Sequence, residues 1–372
     1  MLSCSERGRG APAWRTALAL ARAGLLAAVL AGPVQAPLAQ WATPAAALAT
    51  AVPAEQAEDD AAARLTVQEF DWFDARRNRL VPVRLYLPAT GQAAVPGSVA
   101  AGSPGNAGTG AGAAVPLVVF SHGIGGSRRG YSYLGRHWAS QGWASLHLQH
   151  VGSDRGLWSG NPLAVAGRLQ AAAQEGEATA RVADLSFALD QLLAGPLAAR
   201  IDASRIVAAG HSYGANTTLL AVGARVERGG RLLDLHDARL KAAILISAPP
   251  LYGESSPERI LGGISVPSLH ITATEDIIRV PGYFSPAADR VAVYEATGSA
   301  AKTLAVFEGG SHSVFTDRGG TGGVLLNPQI KAATQALSMA FLGSVFDGDA
   351  GALRQWAQRF AGLLARTSIA LP

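Results

Sequence analysis

The chain contains two segments that alternate apolar and polar residues, followed by six short apolar runs. The alternating segments, 65–73 and 80–87, have the period of half-buried strands. Continuous apolar runs of this length are typical of strands in a sheet that helices cover on both faces. The six runs are PLVVFS, WASLHLQH, RIVAAG, AAILIS, SLHITAT and TLAVFEG.

Helical patterns lie between most of these runs, at 131–141, 177–193, 215–225 and 329–346, with another near 353–364. This alternation of strand and helix predicts an α/β fold with a mostly parallel, doubly wound central sheet and helices on both faces. In such a sheet the chemistry takes place at the carboxyl ends of the strands. Candidate functional residues are therefore expected where the apolar runs end.

Residues 1–39 have the pattern of a secretory signal peptide. Arginines precede an apolar stretch, and sites with small residues follow at 34–36 and 37–39. A membrane span is the alternative, but it would need about 20 apolar residues, and Arg22 interrupts the stretch. We predict a cleaved signal and a secreted or periplasmic protein with no stable membrane span. Cys4, the only cysteine, lies in this leader, so the exported protein would have no disulfide.

Composition indicates one globular domain over residues 64–372. The chain has 372 residues, 49% of them hydrophobic, which is enough for one large core and excludes a mostly disordered protein. The formal charge is +4, but the leader holds four of the 31 basic residues and one of the 27 acidic ones. The remaining chain is nearly neutral, so no nucleic-acid partner is expected.

Three segments depart from the strand and helix pattern. Residues 40–63, rich in Ala and Pro, predict a flexible lead-in, and the Gly/Ala-rich residues 91–116 predict a mobile loop inserted between two strands. Residues 151–174, which include Trp158, form the candidate cap over the site. A plain surface helix is the alternative for this last segment.

The sequence AAGHSYGAN places Ser212 between Gly210 and Gly214, after an apolar run and before a helical pattern. This is the arrangement of a nucleophile elbow, a strained strand-to-helix turn that exposes a serine hydroxyl and needs glycine on both sides. The alternative is a serine that only caps the helix, but capping explains neither glycine. We predict that Ser212 is a nucleophile.

A serine nucleophile needs a base and an acid that orients the base, in the chain order Ser, Asp or Glu, His. His312 is the last histidine of the chain and follows a strand that two glycines end, so we predict it as the base. The strand SLHITAT is followed by Glu275 and Asp276, of which Asp276 is preferred as the acid. Asp317 and Glu308 are more remote alternatives.

Attack on a carbonyl also needs backbone N–H donors for the oxyanion. One donor comes from the residue after the nucleophile, Tyr213, and the other from the loop after the third strand, FSHGIGG, where we predict Ile124. Gly123 and Gly125 would let the backbone approach the substrate. The alternative, a phosphate-binding loop, would need G-x-G-x-x-G or a Gly-Lys-Ser/Thr ending, and the sequence has neither.

The remaining histidines do not predict a metal site. His147 and His150 are three residues apart on a predicted strand, so they point to opposite faces and cannot chelate one ion. His150, at the carboxyl end of that strand, and Trp158 are the predicted substrate-binding residues. His122 and His211 are interpreted as structural neighbours of their loops.

The motifs FSHGIGG, YSYLGRHWASQGWASLHLQH, RVADLSFALDQL, GHSYGA and GGSHSVF together resemble the α/β-hydrolase superfamily. Within it, the chain is similar to bacterial relatives of platelet-activating-factor acetylhydrolase and dienelactone hydrolase, from about residue 65 to the C-terminus. The resemblance implies Ser212 as nucleophile, Asp276 as acid, His312 as base, and Ile124 and Tyr213 as oxyanion donors. Serine stands where dienelactone hydrolases use cysteine, which favours ordinary ester hydrolysis. The Gly/Ala-rich insert departs from the family pattern.

Together these features predict an exported serine hydrolase that cleaves carboxylic esters through an acyl-enzyme and needs no cofactor. The resemblance implies short to medium acyl chains. The expected partner is an ester substrate, whether a small molecule, a lipid or a polyester. Two alternatives stay open, namely an amidase or peptidase of the same fold and a non-catalytic binding protein that kept the fold.

Overall fold

The predicted strands form close to their expected positions. The structure is a computed structural model that describes residues 65–89, 113–228, 230–251, 256–280, 283–317 and 323–370. The strands are β1 (Leu65–Asp74), β2 (Arg79–Pro88), β3 (Val115–Ser121), β4 (Ala144–Leu148), β5 (Ile201–His211), β6 (Arg225–Arg228), β7 (Arg231–Asp234), β8 (Leu240–Ile246), β9 (Ser268–Glu275), β10 (Ile278–Val280), β11 (Tyr283–Ser285), β12 (Lys302–Ser311) and β13 (Leu364–Ile369).

Helices connect most of these strands. The α-helices are α1 (Ser132–Ser140), α2 (Val165–Ala172), α3 (Glu175–Ala194), α4 (Tyr213–Ala221), α5 (Pro257–Leu261), α6 (Ala288–Ala296), α7 (Gly323–Phe346) and α8 (Ala352–Arg359). Short 3₁₀ helices lie at Arg155–Trp158, Pro162–Ala164, Ala198–Arg200, His312–Phe315 and Ala361–Leu363.

Within the described ranges, nine strands form one sheet in the order β1-β2-β4-β3-β5-β8-β9-β12-β13. The six strands from β4 to β12 in this order run parallel. β2 is antiparallel to both its neighbours, and β13 is antiparallel to β12. The mostly parallel, doubly wound sheet is therefore confirmed, and this strand order is that of the α/β-hydrolase fold.

The sheet separates two hydrophobic cores, one on each face. Along β3, Leu117 and Val119 belong to the first core and Val118 and Phe120 to the second, as the alternation of side chains along a strand requires. Residues of α3 and α4 complete the first core, and residues of α1, α7 and α8 complete the second. Because helices cover both faces of the sheet, a substrate can bind at the edge formed by the carboxyl ends of the parallel strands.

Two predicted helices extend too far. α4 ends at Ala221 rather than 225, because Gly223 adopts φ 115° and the chain then enters the β6–β7 hairpin. α8 ends at Arg359 rather than 364, because the chain next forms β13 and pairs with β12. The local spacing of apolar residues could not reveal this strand, since its pairing partner lies far earlier in the chain. α7, by contrast, starts at Gly323, before the predicted 329.

Several predicted segments fall outside the described residues. These are the signal peptide (1–39), the lead-in (40–63) and most of the Gly/Ala-rich insert. β3 begins at Val115, so the last two positions of the predicted insert, 115 and 116, belong to a strand. In the part of the chain that the structure covers, no helix is both long enough and apolar enough to cross a membrane.

Candidate active site

Ser212 lies in a sharp turn between β5 and α4. Its backbone has φ 55° and ψ −122°, a conformation that residues other than glycine rarely adopt. A Cβ atom on Gly210 would clash with the carbonyl group of Gly214, and one on Gly214 would clash with the carbonyl group of Ser121. Both glycines are therefore needed for the turn, which holds Ser212 at the carboxyl edge of the sheet.

The hydroxyl of Ser212 is hydrogen-bonded to His312, at the start of the 3₁₀ helix that follows β12. Ser212 Oγ lies 2.8 Å from Nε2 of His312, and Nδ1 of His312 lies 2.7 Å from Oδ1 of Asp276. A carboxylate only accepts hydrogen bonds, so Nδ1 carries the ring proton and Nε2 accepts the serine hydroxyl proton. The three side chains predicted from the sequence thus form one hydrogen-bonded chain.

Asp276, directly after β9, is completely buried. Burial alone would raise the pKa of this carboxyl, but the hydrogen bond and charge of His312 and the charge of Arg290 hold the pKa well below its ordinary value. The second oxygen, Oδ2, accepts a hydrogen bond from the Thr272 hydroxyl at 2.7 Å. The carboxylate is therefore ionised at neutral pH and fixed in orientation.

The other carboxylates considered for the acid have different surroundings. Glu275 is exposed at the end of β9. Glu308 accepts a hydrogen bond from the Thr274 hydroxyl at 3.3 Å, and Asp317 accepts one from the N–H of Ser132 at 2.9 Å. Of these four carboxylates, Asp276 is the one in contact with the His312 ring, in agreement with the preference for Asp276 over Glu275 from the sequence.

His211, the residue before Ser212, supports the loop that carries His312. Its Nδ1 lies 2.8 Å from the hydroxyl of Tyr131, and its Nε2 lies 3.0 Å from the carbonyl oxygen of His312. Burial and the neighbouring His312 lower the pKa of His211 to about 3, so the ring is neutral at neutral pH. A neutral ring can donate to the carbonyl and accept from the tyrosine at once. Sequence reasoning missed this link because the two partners are distant along the chain.

The glycine loop after β3 is anchored next to Ile124. The N–H of Gly125 donates to the carbonyl oxygen of Ser153 at 2.8 Å, and Gly125 adopts φ 70°, which favours glycine. Ile124 and Tyr213, the two predicted oxyanion donors, both line the cavity in front of Ser212. The structure therefore brings these two backbone segments to the same side of the nucleophile.

A cavity of about 1250 Å³ opens at Ser212. This exceeds the about 300–1,000 Å³ of most small-molecule sites. Three elements outside the central sheet supply apolar side chains to the wall of the cavity. These are α2 with Leu169, the β6–β7 hairpin with Val226 and Leu233, and the β10–β11 hairpin with Ile278. Elements outside the central sheet therefore supply part of the cavity wall, together with the residues at the strand ends.

Trp158 lines this cavity with 45% of its surface exposed. Its indole N–H donates to the carbonyl oxygen of Gly125 at 3.0 Å. A Cβ atom on Gly125 would occupy the space of the indole ring, so the tryptophan packs directly on the glycine loop. Together with α2, this contact places the candidate cap (151–174) beside the cavity.

The prediction that His150 binds substrate is wrong, because His150 lies inside the protein rather than at the cavity. The side chain is 0% exposed, with Nδ1 3.0 Å from Asp184 Oδ2 and Nε2 3.1 Å from Ser121 Oγ. Burial keeps the pKa of His150 well below its ordinary value. β4 ends at Leu148, so strand alternation no longer decides where residue 150 points. Among the described residues, no group of three or more His, Cys, Asp or Glu side chains could hold a metal ion.

The chain is similar to one protein family over part of its length and to solved structures over a larger part. Residues 72–155 match the family model of platelet-activating factor acetylhydrolase, isoform II. Among solved structures, the PEG-bound complex of a cold-adapted esterase from an Arctic intertidal metagenomic library is similar, with 18% identity and a TM-score of 0.46. That similarity covers 68% of this chain and 87% of the esterase chain. No curated protein matches the chain.

The strand order and the turn at Ser212 define the class of protein, an α/β-hydrolase. Over residues 72–155 the chain is also similar to the platelet-activating factor acetylhydrolases, isoform II. These residues run from the end of β1 through the glycine loop and stop before Ser212. The assignment of the catalytic residues therefore rests on the geometry of the site.

Proposed function

We propose that this protein hydrolyses carboxylic esters through an acyl-enzyme, with Ser212 as nucleophile, His312 as general base and Asp276 as orienting acid. The observation that carries the proposal is the continuous hydrogen-bonded chain of these three side chains at the edge of a largely apolar cavity. The strained turn at Ser212 supports it, because such a turn keeps the hydroxyl exposed to a substrate.

In the first step, Oγ of Ser212 attacks the ester carbonyl carbon while Nε2 of His312 takes the hydroxyl proton. The tetrahedral intermediate then collapses, the bond to the alcohol oxygen breaks, and His312 returns the proton to the leaving alcohol. Water attacks the acyl-enzyme by the same route and releases the carboxylic acid. Throughout, Asp276 holds the ring in the required tautomer and stabilises the imidazolium.

The proposed oxyanion donors are the backbone N–H groups of Ile124 and Tyr213. The residues next to them are held in place, since the N–H of Gly125 donates to Ser153 O at 2.8 Å and the N–H of Ser212 donates to Ile246 O at 2.9 Å. Donors fixed in this way need no reorganisation as charge develops on the carbonyl oxygen. Loss of one such donor costs about 10²–10³-fold in turnover, or roughly 3–4 kcal/mol.

The proposed substrates are esters with short to medium acyl chains, on a small molecule, a lipid or a polyester. The apolar wall of the cavity supports an apolar substituent, and its volume of about 1250 Å³ has room for more than an acetyl group. Hydrolysis rates across p-nitrophenyl esters from acetate to palmitate measure the preference. We expect the highest rate with short or medium acyl chains, and a highest rate with palmitate would contradict the proposed substrate class.

We also propose that residues 1–39 direct export of the protein. Their arginines, apolar stretch and small-residue sites support this. Amino-terminal sequencing of the protein from the periplasm or the medium is expected to start just after Ala36 or Ala39. A protein that stays in the cytoplasm with its leader intact would contradict export without affecting the proposed chemistry.

Labelling with a fluorescent phosphonate tests the nucleophile directly. Wild type and Ser204→Ala, which changes an exposed serine on β5, are expected to label, whereas Ser212→Ala is not. Turnover of Ser212→Ala should fall about 10⁶-fold, by analogy with measured serine hydrolases. Equal labelling of Ser212→Ala, or failure of folded wild type to label, would overturn the proposal. Matched ester and amide substrates separate the esterase from an amidase, and we expect the ester to react faster.

A further inference from the structure

Arg181 is a buried charge that the proposed reaction steps do not use. It projects from α3 and is 0% exposed. Its guanidinium donates to three neutral oxygens, namely the carbonyl of His122, the Ser153 hydroxyl at 2.7 Å and the Thr217 hydroxyl at 2.8 Å. Glu177 is connected to it through Ser153, whose hydroxyl lies 2.8 Å from the Glu177 carboxylate. Burying a guanidinium is costly unless its hydrogen bonds are made, so this arrangement calls for an explanation.

Two of the three acceptors belong to the glycine loop and its anchor. The carbonyl of His122 lies two residues before Ile124, the first proposed oxyanion donor. The carbonyl of Ser153 accepts the N–H of Gly125, the residue that follows Ile124. Arg181 therefore holds the loop before the donor and also the segment that anchors the loop after it.

The remaining contacts of Arg181 lead to the second proposed donor, Tyr213. The guanidinium carbon lies 4.5 Å from the centre of the Tyr213 ring, within the range of a cation–π contact. The Thr217 hydroxyl, which accepts from Arg181, donates to the carbonyl oxygen of Tyr213 at 3.1 Å. Burial lowers the pKa of Arg181 to about 10, so the group is still charged at neutral pH.

We propose that Arg181 is a positioning residue that fixes the two oxyanion donors, Ile124 and Tyr213, relative to each other. This inference rests on the proposed function, because it concerns the donors of that reaction. A loop that contains Gly123, Gly125 and Gly126 has many accessible conformations, and a misplacement of about 1 Å can cost about 10²-fold in rate. One rigid, planar guanidinium holds three segments at defined angles, which the single nitrogen of a lysine cannot do.

The test compares Arg181→Met and Arg181→Lys with wild type. We expect kcat to fall about 10²–10³-fold in both, as for loss of an oxyanion donor, while KM changes by less than about threefold. A trifluoromethyl ketone, which forms an oxyanion on attack by serine, should lose affinity by the same factor as kcat/KM. An ether analogue of the substrate, which has no carbonyl oxygen, should bind with unchanged affinity. If Arg181 contributed only to stability, its replacement would change the affinities for the ketone and the ether alike.

Two further variants keep the test decisive. Thr217→Val removes the hydroxyl between Arg181 and Tyr213 with little change of shape, and it is expected to lower kcat about tenfold even if Arg181→Met does not fold. Arg239→Met is the matched control, because Arg239 bonds Asp237 and Asp190, which lie outside the cavity wall. It should lower thermal stability and leave kcat unchanged.

Two results would overturn the inference. One is unchanged kcat in folded Arg181→Met or, if that variant does not fold, in Thr217→Val. The other is an equal fall in the affinity for the trifluoromethyl ketone and for the ether, which would indicate a collapsed pocket. Failure of the proposed function is distinguishable, because wild type would then neither label with the phosphonate nor hydrolyse esters.

Discussion

Replacing Asp276 with asparagine tests how the buried carboxylate acts on His312. The two side chains have nearly the same shape, so the change removes the negative charge and leaves the packing in place. Oδ1 lies 2.7 Å from Nδ1 of His312, and Nε of Arg290 lies 3.5 Å from the same oxygen. Because both neighbours are donors, we expect the amide oxygen of the asparagine to take the Oδ1 position. The Thr272 hydroxyl, now bonded to Oδ2, can turn and accept from the amide nitrogen.

The expected fall in kcat follows from the attraction between the imidazolium and the carboxylate, which the substitution removes. Two unit charges about 4 Å apart attract by about 4 kcal/mol at an effective dielectric constant of about 20. Since about 1.36 kcal/mol corresponds to a tenfold change in rate, kcat should fall about 10³-fold. If the amide nitrogen faced His312 instead, the ring would adopt the wrong tautomer, and the loss would approach the about 10⁴-fold measured for the equivalent change in another serine hydrolase.

The assay is kcat for p-nitrophenyl butyrate at neutral pH, with KM expected to change little. Glu275→Gln is the matched control, because it alters the adjacent, exposed carboxylate and should retain full activity. A loss of less than tenfold in Asp276→Asn would refute the assignment of the acid. An equal loss in Glu275→Gln would show that the end of β9, rather than one carboxylate, is responsible.

Three other predictions follow from the same contacts. Gly214→Ala should abolish phosphonate labelling because its Cβ would meet a backbone carbonyl, whereas Gly176→Ala, which meets no atom within 4 Å, should label normally. Trp158→Phe removes one hydrogen bond to Gly125 and should lower kcat about fivefold, as expected for about 1 kcal/mol, with unchanged kcat as the contrary result. Burial lowers the pKa of His270 to about 3, below the about 6.5 of the unfolded chain, so between these values acid stabilises the unfolded state. In the wild type, His270 therefore lowers the free energy of unfolding by about 1.4 kcal/mol for each pH unit from pH 6 down to 4. His270→Gln should remove this contribution, so that the free energy of unfolding, measured by urea denaturation, falls less steeply as the pH is lowered. An unchanged pH dependence would contradict burial of a neutral ring.

Local sequence patterns were sufficient for eight of the nine strands of the central sheet, all except β13, and for the order of the candidate residues. A buried strand is a run of apolar residues, and the turn at Ser212 requires glycine at 210 and 214 whatever the rest of the protein does. Asp276 and His312 could be selected because each follows a recognisable strand end. These features depend on residue types within a few positions of one another, so a single sequence predicts them.

Tertiary structure alone decided how distant segments meet. The inward direction of His150, the pairing of β13 with β12, the two hairpins that wall the cavity and the contacts of Arg181 each join parts of the chain far apart in sequence. Such contacts depend on how side chains fill the space between packed elements, and no short pattern of residues records that. The amino-acid sequence therefore determined which groups could carry out the chemistry, whereas packing determined their distances, the partners that hold them and the shape of the cavity.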